Sequence, residues 1–355
     1  MRMIVIATLV TLVGGGTVLS LGGEAQACLW DYDTLAMEKR AFPKALDLIT
    51  GKFLRHSTDY YQWRVKDRLA KLGPLPQNSE LRLPLYDDLA VAYDKLGRDK
   101  AAIALMAKKE AIKAGLYQTA ANLGTFYIHD RQFDEGLKHI KRALKINPDA
   151  HFGRERYQQY LVEYVQESGG GSWLTPVQRK RMSGKRSGPG HTFGSVGFAG
   201  FLAKKSGQKQ RDGLKKEEQE KAIKGVLGMM RFGNFRSPIL LSALGDLLLS
   251  GDHATKRQHR RLAGRAYLKA SYEAKDAKAK ELYRLQGAWA VRLQKVARGV
   301  PDGSLEHLEK TFLKELKRAN RWYARVQSQE KKWIDAGEDV DSRFSKKYYR
   351  GGKKP

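Results

Sequence analysis

A single cysteine, Cys28, stands in the 355 residues. No intrachain disulfide can form, and a lone thiol cannot build a cysteine-rich metal site. The usual catalytic constellations are missing as well. The eight histidines never form H-E-x-x-H, and His253 and His259 lie six apart around a polar turn, a spacing without metal-ligand logic. No Gly-x-Ser-x-Gly elbow occurs. Gly184-Lys185 is followed by Arg186, with no glycine five residues before Gly184, so there is no phosphate-binding loop. No carboxylate pair stands out from the helix surfaces. The expectation is a binding protein without catalytic residues, cofactor or metal. Acidic residues are also scarce: 38 Asp and Glu stand against 66 Lys and Arg, a net charge of +28. That excess predicts attraction to polyanions such as nucleic acid, anionic lipid or acidic polymers.

The amino terminus has a short positive start at Arg2, an apolar run from Ile4 to Val13 that continues to Gly23, and the close Ala25-Gln26-Ala27. This is the pattern of a cleavable signal over residues 1–27, with an uncleaved membrane anchor as the alternative. Cleavage leaves Cys28 first, but Ala25 and Gln26 do not suit a lipobox. The chain is thus expected to be exported, periplasmic or secreted, which makes genomic DNA an unlikely partner.

Two segments superpose at 34 residues: Leu89, Ala90 and Tyr93 correspond to Leu123, Gly124 and Tyr127. In the second copy Gly136, Ile140 and Ala143 follow on the next helix, and Pro148 stops it. Small residues at 124, 136 and 143 predict a close helix crossing. The first copy keeps Tyr86, Ala102 and Met106 but has Lys109 where a small residue is usual. This period and these positions resemble the tetratricopeptide repeat (TPR), a helix-turn-helix that buries its apolar face only by stacking. The resemblance implies an all-α helical-hairpin solenoid over 81–168, with the helix around Tyr157, Tyr160, Leu161 and Tyr164 as its cap. It also implies a concave groove for a protein or peptide. Asp87, Val91, Asp94 and Lys95 would line it from the first repeat, and Gln118, Asn122, Thr125 and His129 from the second. Asn122 matches one Asn of the clamp by which some TPR proteins hold a terminal carboxylate. Asp87 and Val91 replace the Lys and Asn of that clamp, so a basic or polar segment is the better ligand.

The flanks read as helices without the consensus. Residues 28–80 hold short helices broken by Pro43, then a helix with Ser57 as N-cap and Tyr61, Val65 and Leu69 on one face. The aromatics Trp30, Tyr32, Tyr60, Tyr61 and Trp63 read as core in preference to a stacking platform. Residues 169–216 hold eleven Lys or Arg and one acid amid glycines, the composition of a flexible basic linker. Residues 217–336 return to helix. Pro238 suits a first turn, and Leu244-Gly245 with Ala263, Ala266 and Ala270 suggests a degenerate third pair. Two longer helices follow, with stripes at Leu282, Leu285, Trp289, Leu293 and Val296 and from Leu305 to Trp333, suited to antiparallel packing on each other. Residues 337–355 form a basic tail. Linker and tail offer a second expectation, an electrostatic adaptor for anionic polymers or a membrane surface.

Overall fold

The computed structural model describes residues 29–31, 42–148, 150–167, 197–208, 214–251, 256–292 and 304–350. The expected signal, Cys28, Tyr32, most of the basic linker and His253 lie outside them. The described residues are helical, with no strand among them.

Two hairpins form the repeats: α3 (Arg82–Lys95) with α4 (Asp99–Ile112), and α5 (Tyr117–His129) with α6 (Phe133–Ile146). Their crossings are as close as the small residues demand. A Cβ on Gly124 would lie 2.5 Å from Ile140 Cδ1, and one on Gly136 would lie 2.6 Å from Ile128 Cγ1. The equivalent positions of the first hairpin, Ala90 and Ala102, are fully buried. Each hairpin turns through one left-handed residue, at Gly97 (φ 72°) and, 34 positions on, at Arg131 (φ 64°). In both turns the next amide closes the helix end: Arg98 N–H donates to Tyr93 O and Gln132 N–H to Tyr127 O, each at 2.8 Å.

Stacking continues through α7 (Arg154–Gln166) and α9 (Lys216–Met229). A Cβ on Gly225 would lie 2.6 Å from the Tyr157 ring. A π-helical turn, Met230–Asn234, leads to α10 (Pro238–Leu248), where Ser237 caps the start and Pro238 opens the first turn. Next come α11 (Arg257–Glu273), α12 (Ala277–Arg292) and the long α13 (Leu305–Asp335). Between α10 and α11 Gly245 meets the Tyr267 ring, and Ala263, Ala266 and Ala270 are buried.

Several expectations need correction. The linker contains a short helix, α8 (Phe198–Lys205), whose Phe198, Phe201 and Leu202 sit in the main core. Asp246 of α10 makes this possible. Its Oδ2 accepts the Phe198 N–H at 2.9 Å, and its Oδ1 accepts the Tyr267 hydroxyl at 2.6 Å. The tail folds too, as α14 (Val340–Phe344) and a π-helical turn over Ser345–Arg350, with Val340, Phe344 and Tyr348 buried. In α2 (Thr58–Leu72), capped by Ser57 as expected, the buried face is Tyr60, Arg64, Arg68 and Leu72, while Leu69 is exposed. Ion pairs of Arg64 with Asp31 and of Arg68 with Asp88 and Asp341 allow this register. In α12 the expected stripe keeps Leu282 buried and Trp289 against the core, but Leu285 is exposed and Tyr283, Ala290 and Val291 join the buried face. Leu293 and Val296 lie outside the described residues.

The last long helix does not pair simply with α12. Its first half spans α11 and α12, with Arg265 on Glu315 and Arg284 on Glu309. Its second half reaches α2 and the short α1 (Ala45–Thr50) region. There Glu330, on the expected apolar stripe and fully buried, bonds His56 Nδ1 at 2.5 Å and accepts the Ser57 N–H at 2.9 Å. Tyr60, Val326, Trp333, Val340, Phe344 and Tyr348 then form one cluster. The C-terminal residues thereby close onto the N-terminal helices.

Candidate functional site

The eight residues that the TPR resemblance names as groove candidates lie on α3 and α5, and most are engaged by other parts of the same chain. The centre is Asn122, fully buried. Its Oδ1 accepts the Trp30 N–H at 2.8 Å, and its Nδ2 donates to Trp30 O at 3.1 Å. An Asn amide carries one acceptor and two donors, so it can hold both polar groups of one residue of an extended chain. The second Nδ2 donor goes to Asp87 Oδ1 at 3.1 Å.

Asp87 stands where the TPR resemblance would place a basic residue, and a counter-charge comes from the next helix. Lys109, the departure from the small-residue consensus, places Nζ 2.5 Å from Asp87 Oδ2. Both groups are buried. Burial pushes the Asp87 carboxyl up to about 7, although Lys109 and Asn122 favour its charged form. The two sequence departures from the consensus thus compensate each other.

Residues on both sides of the clamp hold the same segment. Leu29 is buried among Tyr86, Leu89, Ala90 and Val91. The Trp30 ring packs edge-to-face on Tyr117, with centroids 5.6 Å apart, and Asp31 accepts from Arg64 Nη1 at 2.8 Å. Residues 29–31 therefore present an apolar, an aromatic and an acidic side chain to three separate receptors.

The remaining groove candidates serve other contacts. Lys95 donates to Phe232 O at 2.8 Å and Gly233 O at 2.6 Å, tying α3 to the π-helical turn. Thr125 accepts from Gln158 of α7 at 3.3 Å, Gln118 is half-buried, and Val91 is buried. His129 Nδ1 bonds Asp94 Oδ1. With Asp99 these two form the one cluster among the described residues suited to a metal ion, their donor atoms all within 4.8 Å of one another. The Asp99 carboxyl is pushed up to about 6 by burial and by the neighbouring charge of Asp94. Sequence reasoning missed this cluster, because its members come from three helices.

It also missed the contact of residues 29–31 with α3 and α5. The match of Asn122 to a peptide-holding Asn was the available signal, but nothing in the local pattern of residues 29–31 names α5 as their partner. No helix among the described residues is long and apolar enough to cross a membrane. No family model matches the chain, and neither does any curated protein sequence.

Proposed function

We propose that this chain is an exported scaffold of the TPR type that binds protein segments in extended form along the concave face of its repeats, without catalysis. The observation that carries this reading is the two-way hold of Asn122 on the Trp30 backbone. Such a hold reads main chain and leaves flanking pockets to read side chains, the division of labour common in peptide recognition. The N-terminal pattern of charged start, apolar run and small-residue close supports export. In this reading residues 29–31 occupy the groove in cis, and a partner segment takes their place.

The test uses a labelled peptide spanning residues 28–36 and a full-length variant in which Leu29→Ala and Trp30→Ala weaken the resident segment. The peptide should bind this variant, and adding Asn122→Ala should weaken binding by roughly tenfold, as loss of two buried hydrogen bonds implies. No binding to the vacated groove, or equal binding with and without Asn122, would refute the reading.

A second reading, electrostatic attachment to an anionic polymer or membrane surface, is favoured by the outer face of α6. There Lys138, Lys141, Arg142 and Lys145 line a shallow cleft with one acid, Asp134. Reversing Lys138 and Lys141 to Glu should reduce retention on heparin at moderate salt. Unchanged retention would remove this reading.

A further inference from the structure

Beside the clamp, a cavity of about 360 Å³ lies between the end of α1, the inner end of α3, the π-helical turn and α13. Its charged lining is one-sided. Arg55, Lys95, Arg231 and Arg236 border it, against a single acid, Asp31, whose carboxylate is already paired with Arg64. Lys95 is bound to two carbonyls of the turn, and Arg236 pairs outward with Glu273 at 2.9 Å.

Arg55 is different. It donates through Nη1 to the carbonyls of Gly51 and Phe53. Its guanidinium lies 3.4 Å from the Tyr323 ring centroid and 4.5 Å from that of Phe235. No carboxylate among the described residues makes an ion pair with it. Arg68, on the adjacent helix, shows the contrast: burial pulls its pKa down, but Asp341 and Asp88 more than compensate and hold it above the ordinary value. For Arg55 burial, with Arg236 adding to it, prevails over the opposing influence of Tyr323, Tyr61 and Glu330, and the guanidinium falls to about 10. A largely desolvated cation without a counter-ion is costly, and an anion delivered to it restores the balance.

We propose that this cavity binds an organic carboxylate, with the carboxylate on the Arg55 guanidinium and the apolar body against Val91, Met230 and Phe232. A guanidinium fork matches a planar carboxylate, and the remaining lining is apolar enough to reward a hydrophobic body. The carboxylate can come from a free small acid or from the C-terminal end of a protein chain. The cavity borders the resident segment through Leu29 and Asp31, but it does not use the hold on the Trp30 backbone and does not require that a partner segment replace residues 29–31.

Calorimetric titration of the full chain with benzoate, benzyl alcohol, inorganic phosphate and acetyl-Ala-Ala-Phe carboxylate tests it. Benzoate should bind at least roughly tenfold more tightly than benzyl alcohol, because only the acid makes a charge-assisted bond. It should also outbind phosphate, which has no apolar body. Arg55→Gln should weaken benzoate by roughly tenfold or more while a thermal melt confirms folding. If that variant does not fold, Arg236→Gln, which leaves the Gly51 and Phe53 carbonyls bonded, should still weaken benzoate several-fold. Tighter binding of the Phe peptide than of benzoate assigns the carboxylate to a chain end, and the reverse assigns it to a free acid. Benzoate no tighter than benzyl alcohol or phosphate overturns the proposal, as does unchanged affinity in folded Arg55→Gln or Arg236→Gln.

Discussion

The repeat region, 82–146, and the C-terminal half, 197–350, bring their helices together by the same device, yet only the first carries a period. In the repeats Gly124 and Gly136 admit Ile140 and Ile128. In the C-terminal half Gly245 admits Tyr267 and Gly264 admits Leu308. The physics is a glycine facing a bulky side chain at a close crossing. Where helix lengths and turns repeat, this leaves a 34-residue signature. Where they vary, the same contacts leave none. A second contrast concerns charge. The repeats bury Lys109 against Asp87 on the partner helix of the same hairpin, 22 residues away, whereas the chain ends bury Arg68 against Asp341, 273 residues distant.

Truncating the core of each region gives the largest effects. Phe126 and Phe312 are both fully buried, and either change to Ala should cost about 3–5 kcal/mol. Urea unfolding should show both substitutions shifting one shared transition, because α13 and α14 close the C-terminal half onto the N-terminal helices. Two separately shifted transitions would break the comparison into two independent domains.

The buried pair of the repeats predicts an unusual pH response. The folded Asp87 carboxyl, pushed up to about 7 by burial, lies above its unfolded value near 4. Between these values the folded state binds the extra proton. The contribution of Asp87 is thus fully present below about pH 4 and declines as pH rises towards 7, by on the order of 2–4 kcal/mol. Asp87→Asn should flatten that part of the stability profile measured by urea melts at stepped pH. An unchanged profile would remove Asp87 as its source.

Asp246→Ala should cost about 1–3 kcal/mol, since it removes the acceptor for the α8 amide and the Tyr267 hydroxyl together. Hydrogen exchange should then show α8 losing protection ahead of α10. The smallest effect belongs to the turn at Arg131, where Gly97 stands in the equivalent position of the first hairpin. Arg131→Gly should raise stability by up to about 1 kcal/mol by relieving the left-handed backbone. A lower melting temperature would show that the Arg side chain outweighs its backbone cost.

The repeat hairpins, the Ser57 cap, the Pro238 first turn and the Gly245 pair were legible because each rests on neighbours within about one hairpin. Leu69 and Leu285 misled because apolar periodicity treats every arginine as solvated. Arg64 and Arg68 point inward only because Asp31, Asp88 and Asp341 meet them there. The helix at Phe198 was hidden by glycines and lysines, and its amide cap stands 48 residues away. The groove candidates on α3 and α5 came from the TPR frame. Their engagement by residues 29–31 and by the π-helical turn could not be read, since those contacts span 92 and 137 residues.

The most direct test of the central claim is the hydrogen-exchange rate of the Trp30 amide, resolved by NMR in the parent and in Asn122→Ala. The Asn122 hold predicts a strongly protected amide in the parent. In the variant that protection should be lost while the amides of α3 to α6 keep theirs. A Trp30 amide that exchanges in the parent as fast as in a free peptide, or that stays protected without Asn122, would contradict a groove built to hold an extended chain.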